Sequence, residues 1–405
     1  MPDDSSPNII PEPLRGSDSG TFAHSSVVER LPEIAQRTID ENDFRPEIIR
    51  DLEELIDDIP QALIRPLADP LAPDADSWAG YVADHAGLNW LEIPWFFAEF
   101  YFYRRLLEAT GYFQVGEQGY RADPFLEQKA QGLRLSIQLM EDLAAEVNAW
   151  SDVNSPQLEG IEALLVQSLW GNRADLSMWP ADGGAQGGSE NPKLAEKHIL
   201  VNTVAQVADH LTSKVVRVDI VLDNAGFELT TDLFLVDFLL QSGVVQQIVL
   251  HPKAYPIFVS DVISADLTKT LERLGDRSLP QANMIAARIL RFLKNGQLSI
   301  HEHLFWTSPL ALWEMPPALR AELARSDLVI LKGDATYRRL LGDRHWPFAK
   351  PFEEIVGYFP APIAALRTLK SEVACGLASS QIADLRAEDP DWMINGRWGL
   401  IQFRG

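Results

Sequence analysis

From Val216 to Glu228 the chain reads Val-Arg-Val-Asp-Ile-Val-Leu-Asp-Asn-Ala-Gly-Phe-Glu, a β-branched run that stops on an Asp-Asn pair and a glycine. Such a run predicts a strand that ends by presenting two hard oxygen donors, and in open α/β sheets ligands bind outside the carboxyl ends of the strands. Two further segments repeat the pattern. Pro256 to Asp261 ends on a carboxylate, and Asp327 to Asp334 ends on Lys332-Gly333-Asp334 and runs into Tyr337 and Arg338. Three strands that deliver acids and cations to one edge point to a metal with an anionic substrate.

The flanking periodicity extends this into a fold. Strands expected at 216–223, 244–250, 256–261, 298–303, 327–332 and 362–367 alternate with helices at 229–242, 264–274, 283–295 and 335–341, which predicts an α/β fold with a mostly parallel sheet covered on both faces. Before residue 210 the spacing is helical. Val27, Val28, Leu31, Ile34 and Ile39 share one face, Ile48, Ile49, Leu52, Leu55 and Ile56 another. Trp95 to Leu107 predicts a buried helix with a charged tip at Arg104-Arg105, and 133–147, 161–170 and 194–211 predict three more. The glycine-dense stretch between Trp179 and Pro192 predicts a mobile loop. A chain of 405 residues holds two sizeable cores. The expected organisation is a disordered or extended tail over 1–24, a helical domain over 25–210 and a Rossmann-like α/β domain over 211–405.

Composition narrows the partners. With 35 Lys+Arg against 58 Asp+Glu, a net charge of −23 argues against nucleic-acid binding, which needs a basic face. An anionic substrate then needs a local positive pocket, for which Lys332, Arg338, Arg367 and Lys370 are available. No apolar run is long enough to span a bilayer and no secretory leader is recognisable, so a cytoplasmic protein without a membrane partner is expected. The lone Cys375 excludes an intrachain disulfide and reads as a small buried hydrophobe in a helix.

Asp223 and Asn224 can reach one ion only if the strand ends there, and Gly226 permits that turn. With Asp261 they form an oxygen-only set suited to Mg²⁺ or Mn²⁺ rather than zinc. The same residues also fit an Asx turn before a helix, and Asp261 fits an ordinary N-cap. Tyr337 and Arg338 fall at the start of a helix, whose N-terminus with an arginine beside it is a ready anion site. Helical spacing puts Arg367 and Lys370 on one face. Trp170-Gly171-Asn172 reads as a helix C-cap. His301 and His303 share a strand face without a third nitrogen or sulfur ligand nearby. Gly-x-Ser-x-Gly, P-loop and Gly-x-Gly-x-x-Gly motifs are absent from the sequence.

Taken together, Gly20-Thr21-Phe22-Ala23, Pro94-Trp95, Trp170-Gly171-Asn172, Leu222 to Leu229, Lys-Gly-Asp-x-x-Tyr-Arg at 332–338, Arg-Thr-x-Lys at 367–370 and Trp398-Gly399-Leu400 resemble the DUF89 or damage-control phosphatase family. The resemblance is to its two-domain branch, which includes the acidic residue methyltransferase 1 proteins. It implies a helical N-terminal domain packed on a Rossmann-like αβα sandwich, and Asp223, Asn224 and Asp261 as catalytic metal ligands. The implied ion is Mn²⁺, with Mg²⁺, Co²⁺ and Ni²⁺ as alternatives. It further implies substrate contacts at Asn172, Glu228, Asp334, Tyr337, Arg338, Arg367 and Lys370. Relatives often read Gly-Asp-Leu-Asn-Tyr-Arg where this chain has Gly333-Asp334-Ala335-Thr336-Tyr337-Arg338, so Thr336 keeps a short polar group and loses the amide.

The implied activity is metal-dependent hydrolysis of small sugar phosphates such as fructose 1-phosphate or fructose 6-phosphate, of the metabolite damage-control kind, with water or a carboxylate as nucleophile. The branch also carries the name of an S-adenosylmethionine-dependent carboxyl methyltransferase, but the glycine-rich cofactor loop that activity needs is missing. A non-catalytic sugar-phosphate sensor is disfavoured by the retention of every ligand type.

Overall fold

The computed structural model describes residues 10–151, 157–171 and 197–405; the glycine-dense stretch and Asn172 lie outside them. Seven strands form one sheet: β1 (Ile199–Asn202), β2 (Arg217–Val221), β3 (Gln247–His251), β4 (Leu298–Ile300), β5 (Leu328–Lys332), β6 (Ile363–Thr368) and β7 (Gly399–Arg404), in the order β1-β7-β6-β5-β2-β3-β4. Strands β2 to β6 are mutually parallel, β7 is antiparallel to β6, and β1 runs along β7. The expected α/β class with a mostly parallel sheet is what the chain adopts.

The pleat sorts the strand residues between two cores. Val329, Leu331, Ile363 and Ala365 join one, while Leu328, Ile330, Ala364 and Leu366 join the other. Burial on both faces explains why these strands read as continuous apolar runs. The first core is filled largely by N-terminal helices, above all Trp95–Ala109, where Phe96 to Glu108 is buried throughout. The second is filled by Ile137–Ser151 and Gln157–Trp170 together with Phe227–Gln241 and Pro280–Asn295. Helices from before residue 210 thus contribute to both layers, and the sheet itself separates the cores.

Several local expectations are corrected. The helix expected over 194–211 begins only at Val204–Thr212, because Ile199–Asn202 is edge strand β1. Residues 256–261 form a loop whose Phe258 and Val259 have φ of 49° and 64°, left-handed values no ladder accepts. Its apolar content serves packing instead, with Phe258 4.9 Å from Phe100 and 5.0 Å from Tyr103 between ring centroids. The predicted tail is anchored before residue 24: Leu14 is buried, and Pro13 and Arg15 bridge to Arg344 and Pro94. Arg104 and Arg105 form no solvated tip. Acids from other segments reach them, Asp69 and Asp74 at 2.8 and 3.1 Å from Arg104 and Asp58, at the end of the helix Pro46–Asp58, at 3.1 Å from Arg105. Cys375 is buried, but in a loop rather than a helix.

From β2 the chain builds outward through β3 and β4, then returns to lay β5 and β6 on the other side of β2. The carboxyl ends of β2 and β5 therefore flank the topological switch point of the sheet, where a crevice is unavoidable.

Candidate metal and phosphate site

Asp223 and Asn224 follow β2 by two and three residues, and Gly226, at φ 79°, turns the chain into the helix Phe227–Gln241. The loop carrying Asp261 is clamped against them by backbone hydrogen bonds, Ala225 N to Ser260 O at 2.7 Å and Val262 N to Asp223 O at 2.8 Å. Asn224 and Asp261 form a bridge pair. Asp261 does not cap the next helix. That role belongs to Ile263, with Asp266 accepting its amide at 3.0 Å.

The three expected ligands are thus neighbours, and their surroundings explain what they lack. Asp223 and Asp261 are 7% and 2% exposed. Burial, then Glu228 and Asp261, pushes the Asp223 carboxyl well above the usual range despite Lys253 and Lys370. Burial likewise raises Asp261, outweighing Lys253 and Lys129. Lys253 Nζ lies 3.2 Å from Asp261 Oδ2, an ion pair without hydrogen-bond alignment that leaves this oxygen with no donor among the described residues. A divalent cation at this point would restore both carboxylates to their charged form.

The Asn224 amide now links the acids, its Nδ2 donating to Asp223 Oδ2 at 2.6 Å and to Glu228 Oε2 at 2.8 Å, while Ser260 Oγ donates to its Oδ1 at 2.5 Å. Asn224 becomes an oxygen ligand only after a half-turn of its amide. Among the described residues no group of three or more His, Cys, Asp and Glu is placed to hold a metal; the candidate set has two carboxylates and takes its third donor from an amide. It is oxygen-only, which fits a hard divalent ion.

The opposite wall comes from β5 and β6. Gly333, with φ 86° and ψ 171°, starts the helix Asp334–Leu341. A Cβ there would fall 1.9 Å from Asp223 Cγ and 2.0 and 2.2 Å from its two oxygens, so only glycine lets the carboxylate lie against this turn. The first amides of a helix have no partner within it, and those of the 334–341 helix open beside Asp223. Lys370 reaches Asp223 electrostatically, and its ammonium has no hydrogen bond or ion pair among the described residues.

Other candidate residues are committed to the protein. Glu228 Oε1 accepts from Lys332 Nζ at 2.9 Å, and Lys332, buried, also donates to Asp232 and to Ser168 O, each at 2.8 Å. Burial pulls the Lys332 ammonium down, but Asp232 and Glu228 outweigh it and hold it above its usual range. Gly171 presses on this helix, since a Cβ would fall 2.6 Å from Glu228 Cα.

Asp334 Oδ1 accepts from Arg367 Nε at 2.8 Å, Lys370 N at 3.1 Å and Ser371 Oγ at 3.0 Å. Burial would raise its carboxyl; Arg367, Arg338 and the Lys370 amide leave it below the usual range. Arg367 is buried, stacked 4.5 Å from the Tyr337 ring centre, while Tyr337 Oη donates to Gln402 at 2.7 Å. Its last turn of β6 sends Arg367 inward and leaves Lys370 beyond the strand, so the two share no helical face. Arg338 is buried between Glu99 and Asp343, 3.5 Å above the Trp95 ring. Its charge is matched twice, by Glu99 and by Asp343.

Lys253 and Lys129 escaped the sequence reading. Lys253 stands just past β3, at the same carboxyl edge, and that placement was a usable signal. Lys129 carried none: it lies far away in sequence, yet its Nζ donates to Asp261 O at 2.8 Å and to Asp123 and Asp266 at 2.9 Å each.

The family profile of the damage-control phosphatase ARMT1-like domain matches residues 26–385. Proteins named Damage-control phosphatase ARMT1 are 33% identical in Danio rerio, covering 98% of this chain and 97% of theirs, and 33% identical in Mus musculus, covering 97% and 98%. The Homo sapiens protein of that name is 32% identical, with 98% and 99% covered. A solved DUF89 family protein from Pyrococcus horikoshii superposes with a TM-score of 0.49 at 12% identity, covering 93% of this chain and 96% of that one.

Proposed function

Because the chain belongs to the damage-control phosphatase ARMT1-like family, we propose that it is a metal-dependent phosphatase of small sugar phosphates, of the fructose 1-phosphate or fructose 6-phosphate type. The observation that carries this reading is the pair of buried, mutually repelling carboxylates at the switch point, faced by a helix N-terminus and by Lys370, which has no partner among the described residues.

Asp223, Asn224 and Asp261 would hold the ion, Mn²⁺ in this reading, with Mg²⁺, Co²⁺ or Ni²⁺ as alternatives. When bound, such an ion supplies Lewis-acid charge to the phosphoryl oxygens. Lys370 and the open amides of the 334–341 helix bind and orient the phosphate, and their fixed charge matters most as negative charge builds up in the transition state. Lys253 and Lys129 hold the Asp261 loop in place through its carboxylate and its carbonyl. Lys332 holds Glu228 beside Asn224. Arg338 and Arg367 brace the fold of the phosphate wall.

Phosphate release from a panel of phosphosugars, with and without Mn²⁺, tests the reading. Metal-dependent release from at least one hexose phosphate is expected; micromolar binding of S-adenosylmethionine with no release from any sugar would overturn it.

A further inference from the structure

Phe22–Ser25, Ser26–Arg30 and Leu31–Glu41 do not form one regular helix, because Ser26–Arg30 winds as a π-helix. π segments are short, and within helices they are frequent at functional sites. This one turns Ser26 and Arg30 to the same carboxylate oxygen, Glu99 Oε1, at 3.4 and 3.5 Å. Both contacts are long, and the Arg30 side chain remains 47% exposed. The other Glu99 oxygen is held by Arg338.

One turn along from Glu99, Tyr103 is 1% exposed, its ring packed against Phe258 at 5.0 Å and Phe125 at 5.9 Å. Phe258 belongs to the left-handed loop that delivers Asp261. The Tyr103 hydroxyl has no hydrogen bond among the described residues, and it is not one of the orphaned polar atoms sealed from solvent. Its electrostatic neighbours are Arg30, Glu99 and Asp261. A hydroxyl without a protein partner that still reaches solvent is free to pair with water or with a ligand. This hydroxyl lies within electrostatic reach of an expected metal ligand, Asp261, whose loop its own ring packs against.

We propose that Tyr103 and Arg30, carried by the N-terminal helices, bind the hydroxyl-bearing sugar end of the substrate and set specificity for it. This rests on the phosphatase reading and extends it. Lys370 and the 334–341 helix take the phosphate. Tyr103 offers one neutral donor and acceptor to a sugar hydroxyl, and Arg30 adds donors from the open side. A substrate with phosphate but no polyol gains nothing from this pair.

The test compares wild type, Tyr103→Phe and Arg30→Gln with Mn²⁺ on fructose 1-phosphate, fructose 6-phosphate and p-nitrophenyl phosphate, alongside thermal unfolding. Tyr103→Phe removes only an unpaired hydroxyl, so its melting temperature should match wild type or exceed it. The ratio of kcat/KM for the preferred sugar phosphate to that for p-nitrophenyl phosphate should fall roughly tenfold or more, the usual scale for losing a buried hydrogen bond to substrate. Arg30→Gln should lower the same ratio. Parallel loss on all substrates, or an unchanged ratio in both variants, would refute the assignment while leaving the phosphatase reading intact. Wild-type turnover of none of the three compounds would refute that reading and this inference with it.

Discussion

Gly333→Ala is the sharpest single perturbation of this site. Two separable effects are built into the position. At φ 86° and ψ 171° the backbone is in a region essentially reserved for glycine, which costs a side chain about 1–3 kcal/mol. In addition, the new Cβ would sit 1.9–2.2 Å from the carboxylate of Asp223, where ordinary contact begins at 3.4 Å. Either Asp223 or the start of the 334–341 helix has to move by about 1.2–1.5 Å, and a misplacement on the order of 1 Å typically lowers turnover roughly 10²-fold. Gly87→Ala separates the effects, since Gly87 also has a positive φ, 83°, but nothing within 4 Å of its Cβ position. Metal-dependent phosphate release, Mn²⁺ titration calorimetry and denaturant melts on the three proteins complete the comparison. Both variants should lose stability, and only Gly333→Ala should lose turnover and Mn²⁺ affinity. Turnover in Gly333→Ala within a few-fold of Gly87→Ala would mean that Asp223 has no role at the reacting centre.

Other outcomes follow from particular contacts. Lys370→Ala should lower kcat/KM by roughly 10²-fold, read by steady-state kinetics; unchanged kinetics with a clear loss of thermal stability would make the lysine structural. Arg338→Ala should instead cost about 3–5 kcal/mol in denaturant melts, because it strands Glu99 and Asp343 in the interior; a raised KM with unaltered stability would return Arg338 to the substrate. Burial works against the Asp219 charge, yet His251, Arg217 and Ser326 hold its carboxyl down to about 2. Its folded value lies below its unfolded one, so its stability contribution, about 2 kcal/mol, is full above roughly pH 4 and lost as pH falls through about 2. Asp219→Asn should flatten the acid limb of the stability profile in that window, and an unchanged limb would show that the pairing contributes nothing.

The sheet was legible where periodicity and punctuation agree. Arg217–Val221 lies within the expected 216–223 and stops two residues before Asp223, with Gly226 turning the chain, and Leu328–Lys332 ends before Gly333. The segment 256–261 misled because its aromatic and β-branched residues, the usual mark of a strand, serve a loop that takes left-handed backbone at Phe258 and Val259 and packs the half-buried Phe258 against Phe100 and Tyr103. Strand β1 at the sheet edge and its neighbour β7 were missed because runs of four and six residues carry too little pattern. Asp261 was singled out by its place at the end of that expected strand and by the family resemblance, and the loop brings it beside Asn224 all the same. Arg338 looked free because Glu99 lies far away in sequence, and the partnership of Lys129 with Asp261 O was invisible for the same reason.

The central claim is that Asp223 and Asp261 together hold the ion on which phosphate release depends. The direct measurement is Mn²⁺-dependent phosphate release by wild type, Asp223→Ala and Asp261→Ala, each stripped with chelator and then titrated with Mn²⁺, with melting curves to confirm folding. The account predicts saturable Mn²⁺ activation in wild type, its loss in both variants, and no fall in melting temperature of the metal-free proteins, because removing either acid relieves repulsion within a buried pair. Full turnover by either variant after Mn²⁺ is restored would contradict it.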